Sequence, residues 1–261
     1  TLTLAATGAS EMYITNTAGC GSGGAYETYA TSKAWTLGQT NGTATVYVKY
    51  KDAAGNESSC INDTIIHDNT VPSSTSIAVN GTDTYTTSTS STLTLAATGA
   101  SEMYITNTAG CGSGGAYETY ATSKAWTLGQ TNATATVYVK YKDVAGNEAS
   151  CINDTIVHDN TMPTSTSIGI NGTNTYTNST SVTLTLAATG ASEMYITNTA
   201  GCGSGGAYET YATSKSWTLG QTNGTATVYV KYKNSNGNES ACINDTIIHD
   251  NTAPSSTSIA V

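Results

Sequence analysis

The run TLTLAATGASEMYITNTAGC begins at Thr1, recurs letter for letter from Thr92 and recurs again from Thr183, each start 91 residues after the last. A period of that length is too long for a solenoid coil or a propeller blade. It matches one compact all-β domain. The segment from Thr17 to Lys33 is also unchanged in all three copies.

Each copy carries two cysteines: Cys20 and Cys60, Cys111 and Cys151, Cys202 and Cys242. An even count at a repeated spacing reads as a disulfide framework and places the chain in an oxidising compartment. Composition agrees with an extracellular or cell-surface location, since Thr, Ser, Asn and Gly dominate and only 10% of residues are charged. Arginine is absent, and lysines and acids sum to a net charge of −9. Such a chain has no basic stripe to neutralise phosphates, so no nucleic-acid partner is expected. No apolar run reaches the roughly twenty residues of a membrane-spanning helix, so no direct membrane insertion is expected either. The first residue is Thr1, and the chain reads as an excerpt whose signal and anchor lie outside it. Seventeen tyrosines and three tryptophans argue against disorder.

Alternation of apolar and polar residues marks strands, and Gly, Asn, Ser and Pro mark the breaks. In the middle copy this predicts strands at 92–97, 102–107, 125–128 and 135–142, with a Gly-rich excursion over 108–120. In the clearest strand, Val137, Val139 and Tyr141 face the core while Tyr138, Lys140 and Lys142 face outward. Gly146 is placed for a hairpin turn, and the returning strand holds Cys151, Ile152, Ile156 and Val157. Pro72, Pro163 and Pro254 suit linkers. The expected domains are 1–70, lacking a first strand, then 73–161 and 164–252, with 255–261 as an opening strand of a following or neighbouring repeat. An arbitrary cut across an array explains that framing. The alternative is a self-assembling filament subunit that polymerises by strand donation. Short strands without any helical period indicate an all-β, two-sheet sandwich.

The series MYITN, YETYATSKAWTL, GTATVYVKYKDAAGNES and INDTIIHDNTVP resembles the bacterial immunoglobulin-like domain repeats of extracellular surface and adhesin-type proteins. Trp35, Val46-Tyr47-Val48, Asp52, Gly55-Asn56 and Pro72 hold the matching positions. The resemblance implies tandem immunoglobulin-like β-sandwich domains in an elongated stalk or fibre with a spacing, adhesive or surface-layer role. This chain departs from the pattern in its linker, His67-Asp68-Asn69-Thr70, and in its cysteine pair.

A bridge such as Cys20 to Cys60 would contribute about 4 kcal/mol in the chain-entropy model. It requires the Gly-rich loop to fold back along the sandwich; otherwise Cys20 faces the next domain and reaches toward Cys151. His67, His158 and His249 recur once per copy as polar residues near linkers and cannot meet in one site. Trp35, Trp126 and Trp217 are expected in the core. Tyr26, Tyr29, Tyr117, Tyr120, Tyr208 and Tyr211 are the candidate ligand contacts, and they would suit a glycan-binding accessory module. No cofactor or metal is expected. Calcium is the metal that Asp63, Asp68 and Asn69 would suit, but the acids per linker are few and turn or capping roles are preferred. Paired catalytic carboxylates and a phosphate loop are missing, and Gly21-Ser22-Gly23-Gly24 is a plain loop. No enzymatic activity is expected. The partners are further copies of the repeat in cis, other subunits of one fibre, and host or cell-surface glycans or proteins.

Overall fold

The structure, a computed structural model, describes residues 1–172 and 174–259. They form two compact units: Thr1–Ile77, Leu95–Thr122 and Tyr138–Ile152 in one, and Ala78–Thr94, Ser123–Val137 and Asn153–Val261 in the other. The first repeat lies wholly in the first unit and the third in the second. Among the described residues the only helical pieces are short 3-10 turns such as Ala200–Cys202. The fold is all-β, a tandem of immunoglobulin-like sandwiches.

The third repeat displays the design. One sheet has three strands, Thr164–Ile170, Ser181–Thr189 and Ser214–Thr218. The other has five, in the order Tyr176–Thr177, Ile243–His249, Gly224–Lys233, Glu193–Thr197 and Tyr208–Thr210. The opening segment changes sheets at Asn171 and Gly172, whose positive φ angles of 51° and 70° turn the chain. Tyr176–Thr177 then runs parallel to Ile243–His249. Every other pairing in this repeat is antiparallel.

Period-two alternation makes the core. Val228, Val230 and Tyr232 are fully buried, and the intervening Tyr229, Lys231 and Lys233 are partly exposed. Leu184, Leu186, Met194 and Ile247 close on them from the neighbouring strands. The Tyr232 hydroxyl donates to the Ser167 carbonyl at 2.6 Å and so ties the first sheet to the second. Side chains of this size each stabilise by about 1.5–3 kcal/mol when fully buried.

The first repeat keeps a four-stranded sheet, Tyr26–Thr28, Glu11–Thr15, Gly42–Lys51 and Ile61–His67, and a two-stranded remnant, Leu2–Thr3 with Ser32–Lys33. Its core uses the same positions, Met12, Ile14, Val46, Val48 and Tyr50. In the middle repeat, Glu102–Thr106 pairs with residues 138–142 in the first unit. Ser123–Thr127 pairs with residues 90–94 in the second.

Several sequence expectations change. The Gly-rich excursion contains a strand, Tyr117–Thr119, which joins the sheet beside Glu102–Thr106. Tyr85–Thr86 is another strand too short to show alternation. The tryptophans Trp35 and Trp217 are half-buried at the rim of the core, because each indole N–H reaches out to an amide oxygen, on Asn16 at 2.8 Å and on Asn198 at 2.9 Å. His158 and His249, expected as polar residues near linkers, end their strands beside the linkers and are each 1% exposed. Their Nδ1 atoms accept the backbone N–H of Asn132 and Asn223 at 2.9 and 3.0 Å. Those asparagines sit at φ 51°, and the imidazole fastens their turns.

Candidate functional site

Each repeat's two cysteines are bonded to one another: Cys20 to Cys60, Cys111 to Cys151 and Cys202 to Cys242. The Gly-rich loop folds back over the sheet to make this contact. Thr15 Oγ1 donates to the Ser22 carbonyl and accepts the Thr17 N–H, both at 2.9 Å. Gly24 N–H then donates to the Tyr13 hydroxyl at 3.0 Å, in a position where a Cβ would overlap the Ile14 carbonyl oxygen. Gly24 is therefore required by close approach. Cys20, Cys111 and Cys202 are 2–3% exposed and adopt positive φ near 53°.

The candidate tyrosines divide into two sets. Tyr29, Tyr120 and Tyr211 turn inward, stacking edge-on against Tyr50, Tyr141 and Tyr232 at 5.8 Å. Their hydroxyls accept the backbone N–H of Ala6, Ala97 and Ala188 at 3.0–3.1 Å. Tyr26, Tyr117 and Tyr208 lie on the outer sheet face, half-buried, against Tyr13, Tyr104 and Tyr195 at 5.4–5.5 Å. Lys51, Lys142 and Lys233 sit 3.8–3.9 Å over their ring centroids. Lys49, Lys140 and Lys231 pair with Glu57, Glu148 and Glu239 at 2.7–2.8 Å. Lys231 first, with Tyr208, holds the Glu239 carboxyl below its usual range, and burial, with Glu239, pushes the Tyr208 phenol up. The outer tyrosines are members of an interlocked charge and ring ladder rather than free rings.

The linkers supply the second candidate region. Asp68 Oδ1 accepts Thr70 N–H, and Asn69 N–H donates to Asn41 Oδ1, both at 2.8 Å. Asp68 also offers its carbonyl to Asn147 Nδ2 at 3.1 Å. The equivalent linker before the third repeat is held more fully. Asp159 Oδ2 accepts Asn236 Nδ2 at 2.6 Å and Asn234 Nδ2 at 3.3 Å, while Asn238 Nδ2 donates to its carbonyl at 2.9 Å. Asn236 is the main reason the Asp159 carboxyl lies below its usual range. The residues matching Asn234 and Asn236 in the middle repeat are Asp143 and Ala145, which give no such amide donors. Among the described residues no group of three or more His, Cys, Asp or Glu side chains converges on a metal position.

Asp63 belongs to a third region, a groove between the remnant sheet and Ile61–His67. Its counterparts Asp154 and Asp245 accept the backbone N–H of Val79 and Ile170, both at 2.8 Å, from their own repeats' opening strands. Among the described residues, Asp63 Oδ1 accepts its neighbour Thr64 N–H, at 2.9 Å. The groove has a cavity volume of about 540 Å³ and is lined by Leu2, Leu4, Trp35, Val46, Val48, Tyr50, Ile61, Asp63 and Ile65. The sequence offers Asp63, with Asp68 and Asn69, as a calcium candidate through its hard oxygens. The strand-clamping role depends on a segment 75 residues away in the equivalent contact, which no local pattern reveals.

No protein-family model matches this chain, and no curated protein matches it. Solved structures do. The fibronectin(III)-like modules of Clostridium thermocellum CbhA align at 9% identity with a TM-score of 0.41, covering 67% of this chain and 94% of that one. The FN1–FN3 domains of chicken CNTN1 align at 11% identity with a TM-score of 0.39, covering 80% of this chain and 76% of that one. The resemblance to bacterial immunoglobulin-like repeats rests on the sequence motifs alone.

Proposed function

We propose that this chain is a non-catalytic, extracellular structural repeat protein that forms part of a stalk or fibre. Its domains in that reading are residues 1–70, 73–161 and 164–252. The observation that carries it is the way successive repeats are joined. Pro72 and Pro163 are buried in their linkers, and an amide from the following repeat's hairpin, Asn147 or Asn238, donates to the linker carbonyl of Asp68 or Asp159. Buried prolines and bonded linkers oppose free swivelling, as a spacer requires.

Three disulfides, each within one repeat, suit an oxidising extracellular setting. Three copies of one module serve spacing or multivalent contact better than catalysis. Electron micrographs of the isolated chain test this reading. Rows of beads about 35–40 Å apart, a spacing estimated from strand length, are expected. A compact globule, or beads at random angles, would overturn it.

A further inference from the structure

The two linkers share a frame and differ in what the following hairpin adds to it. At the first, Asp68 Oδ1 accepts Thr70 N–H and Asn41 Oδ1 accepts Asn69 N–H, both at 2.8 Å. At the second, Asp159 Oδ1 accepts Thr161 N–H and Asn132 Oδ1 accepts Asn160 N–H, again both at 2.8 Å. His67 and His158 fasten the turns that carry Asn41 and Asn132, accepting their N–H groups on Nδ1 at 3.1 and 2.9 Å. These bonds, made by the linker and the preceding repeat, are the same in both places.

The hairpin of the following repeat breaks the equivalence. Residues 143–147 read DVAGN in the middle repeat, and the equivalent residues 234–238 read NSNGN in the third. In the third repeat, Asn234 Nδ2 donates to the Thr161 carbonyl at 2.9 Å and Asn236 Nδ2 to Asp159 Oδ2 at 2.6 Å. Asn238 is 8% exposed and directs its amide to the Asp159 carbonyl at 2.9 Å. In the middle repeat, the Asn147 amide is divided between the Asp68 carbonyl at 3.1 Å and the Asp143 carboxylate at 2.9 Å. Neither Ala145 nor an ionised Asp143 has a side-chain donor to offer the linker. Asp143 is 7% exposed, and Asn147 first among its partners holds its carboxyl below the usual range, so it is charged. It lines one cavity of about 410 Å³ with Asp68, His67 and Pro72. Two like charges therefore share the first linker, whereas at the second one carboxylate is met by amides.

We propose that the linker at Asp68–Pro72 is a hinge and the linker at Asp159–Pro163 a fixed joint, the difference being set by the hairpin residues 143 and 145 against 234 and 236. One charge-assisted bond, Asn236 to Asp159, lowers the population of an opened joint about tenfold or more, net of what water offers in exchange. Asn234 adds a second bond to the same linker. Pro72 and Pro163 are buried and restrict the backbone in both places, so the hairpin contacts decide how often each linker leaves its closed geometry. This deepens the stalk reading and rests on it: the spacer bends at one place and transmits direction at the other.

Thr64, Thr155 and Thr246 occupy equivalent exposed positions, one period apart. Spin labels introduced there as unnatural amino acids leave the disulfides untouched, and double electron–electron resonance on the 261-residue chain then reads each joint. The distance distribution between 64 and 155 should be broader than that between 155 and 246. Asp143→Asn with Ala145→Asn should narrow the first to the width of the second. Asn234→Asp with Asn236→Ala should broaden the second to the width of the first. Each exchange installs side chains that a sister repeat already carries, and circular dichroism checks that the fold is kept. If the broadening pair unfolds the third repeat, the narrowing pair still decides.

Equal widths in the parent chain overturn the proposal, and so does an exchange that leaves the widths of a folded chain as they were. Two equally narrow distributions sink the hinge and leave the stalk reading standing. Two equally broad ones sink both.

Discussion

The first and third repeats carry almost the same residues and bury them differently. Val228, Val230 and Tyr232 are 0% exposed, whereas Val46, Val48 and Tyr50 are 7–8% exposed. The contrast is sharpest on the last strand, where Ile247 is 1% exposed and Ile65 is 58%. The central strands of the larger sheet, five-stranded in the third repeat and four-stranded in the first, are thus nearly self-sufficient, because their partners on both sides are present in either repeat. The last strand depends on the opening strand, which caps its apolar face and clamps it through Asp245 and Tyr232.

The disulfides are where the two repeats should not differ. Replacing Cys202 and Cys242 together by Ser is expected to cost the third repeat about 4 kcal/mol, and the matching Cys20 and Cys60 change should cost the first a similar amount. Urea unfolding of each variant measures this; a much smaller loss in either would mean that its loop stays folded without the bond.

Ile247→Ala should cost about 2–5 kcal/mol, since it empties a closed core. Ile65→Ala should change stability by less than about 0.5 kcal/mol, as an exposed position does. Amide exchange in residues 228–232 against residues 46–50 reads the two sites separately. Adding a synthetic peptide with the sequence of the middle repeat's opening strand, Ser73–Val79, should make Ile65 sensitive as well, and failure to do so would break the link between opening strand and core.

Tyr232→Phe removes the hydroxyl bond to Ser167 and should cost about 1 kcal/mol, while Tyr50→Phe, which loses no such bond, should cost less. The same unfolding experiment decides between them.

The smallest expected effect lies in the linkers. Asp159 has its carboxyl pKa lowered chiefly by Asn236, so its contribution is present above the unfolded carboxyl value and is lost as pH falls through the folded one. Asn236→Ala should flatten the acid dependence of the bonded linker, followed by the chemical shifts of Thr161 and Asn238. An unchanged titration would show that the Asn236 contact does not hold the carboxylate.

How much of this was legible beforehand varies with the range of the interaction. The strand Ala133–Lys142 declares its buried face through strict alternation of Val and Tyr with Lys, and Gly146, at φ 95°, marks its hairpin. Tyr117–Thr119 and Tyr85–Thr86 were hidden because two or three residues contain no period. The buried histidines were hidden because their partners, Asn132 and Asn223, lie 26 residues away on a turn. The tyrosines chosen as candidate contacts could not be sorted into inward and outward sets until the fold placed Tyr29 beside Tyr50 and Tyr26 beneath Lys51.

By itself, the sequence determined the repeat, the all-β character, the pairing of apolar faces with strands and the supply of cysteines. These follow from local periodicity and from exact recurrence. Only the tertiary structure decided that the Gly-rich loop folds back to close each bridge and that Asp154 and Asp245 clamp the opening strands of their repeats. Those outcomes depend on which distant backbone reaches a given side chain, and packing alone brings such groups within hydrogen-bond range.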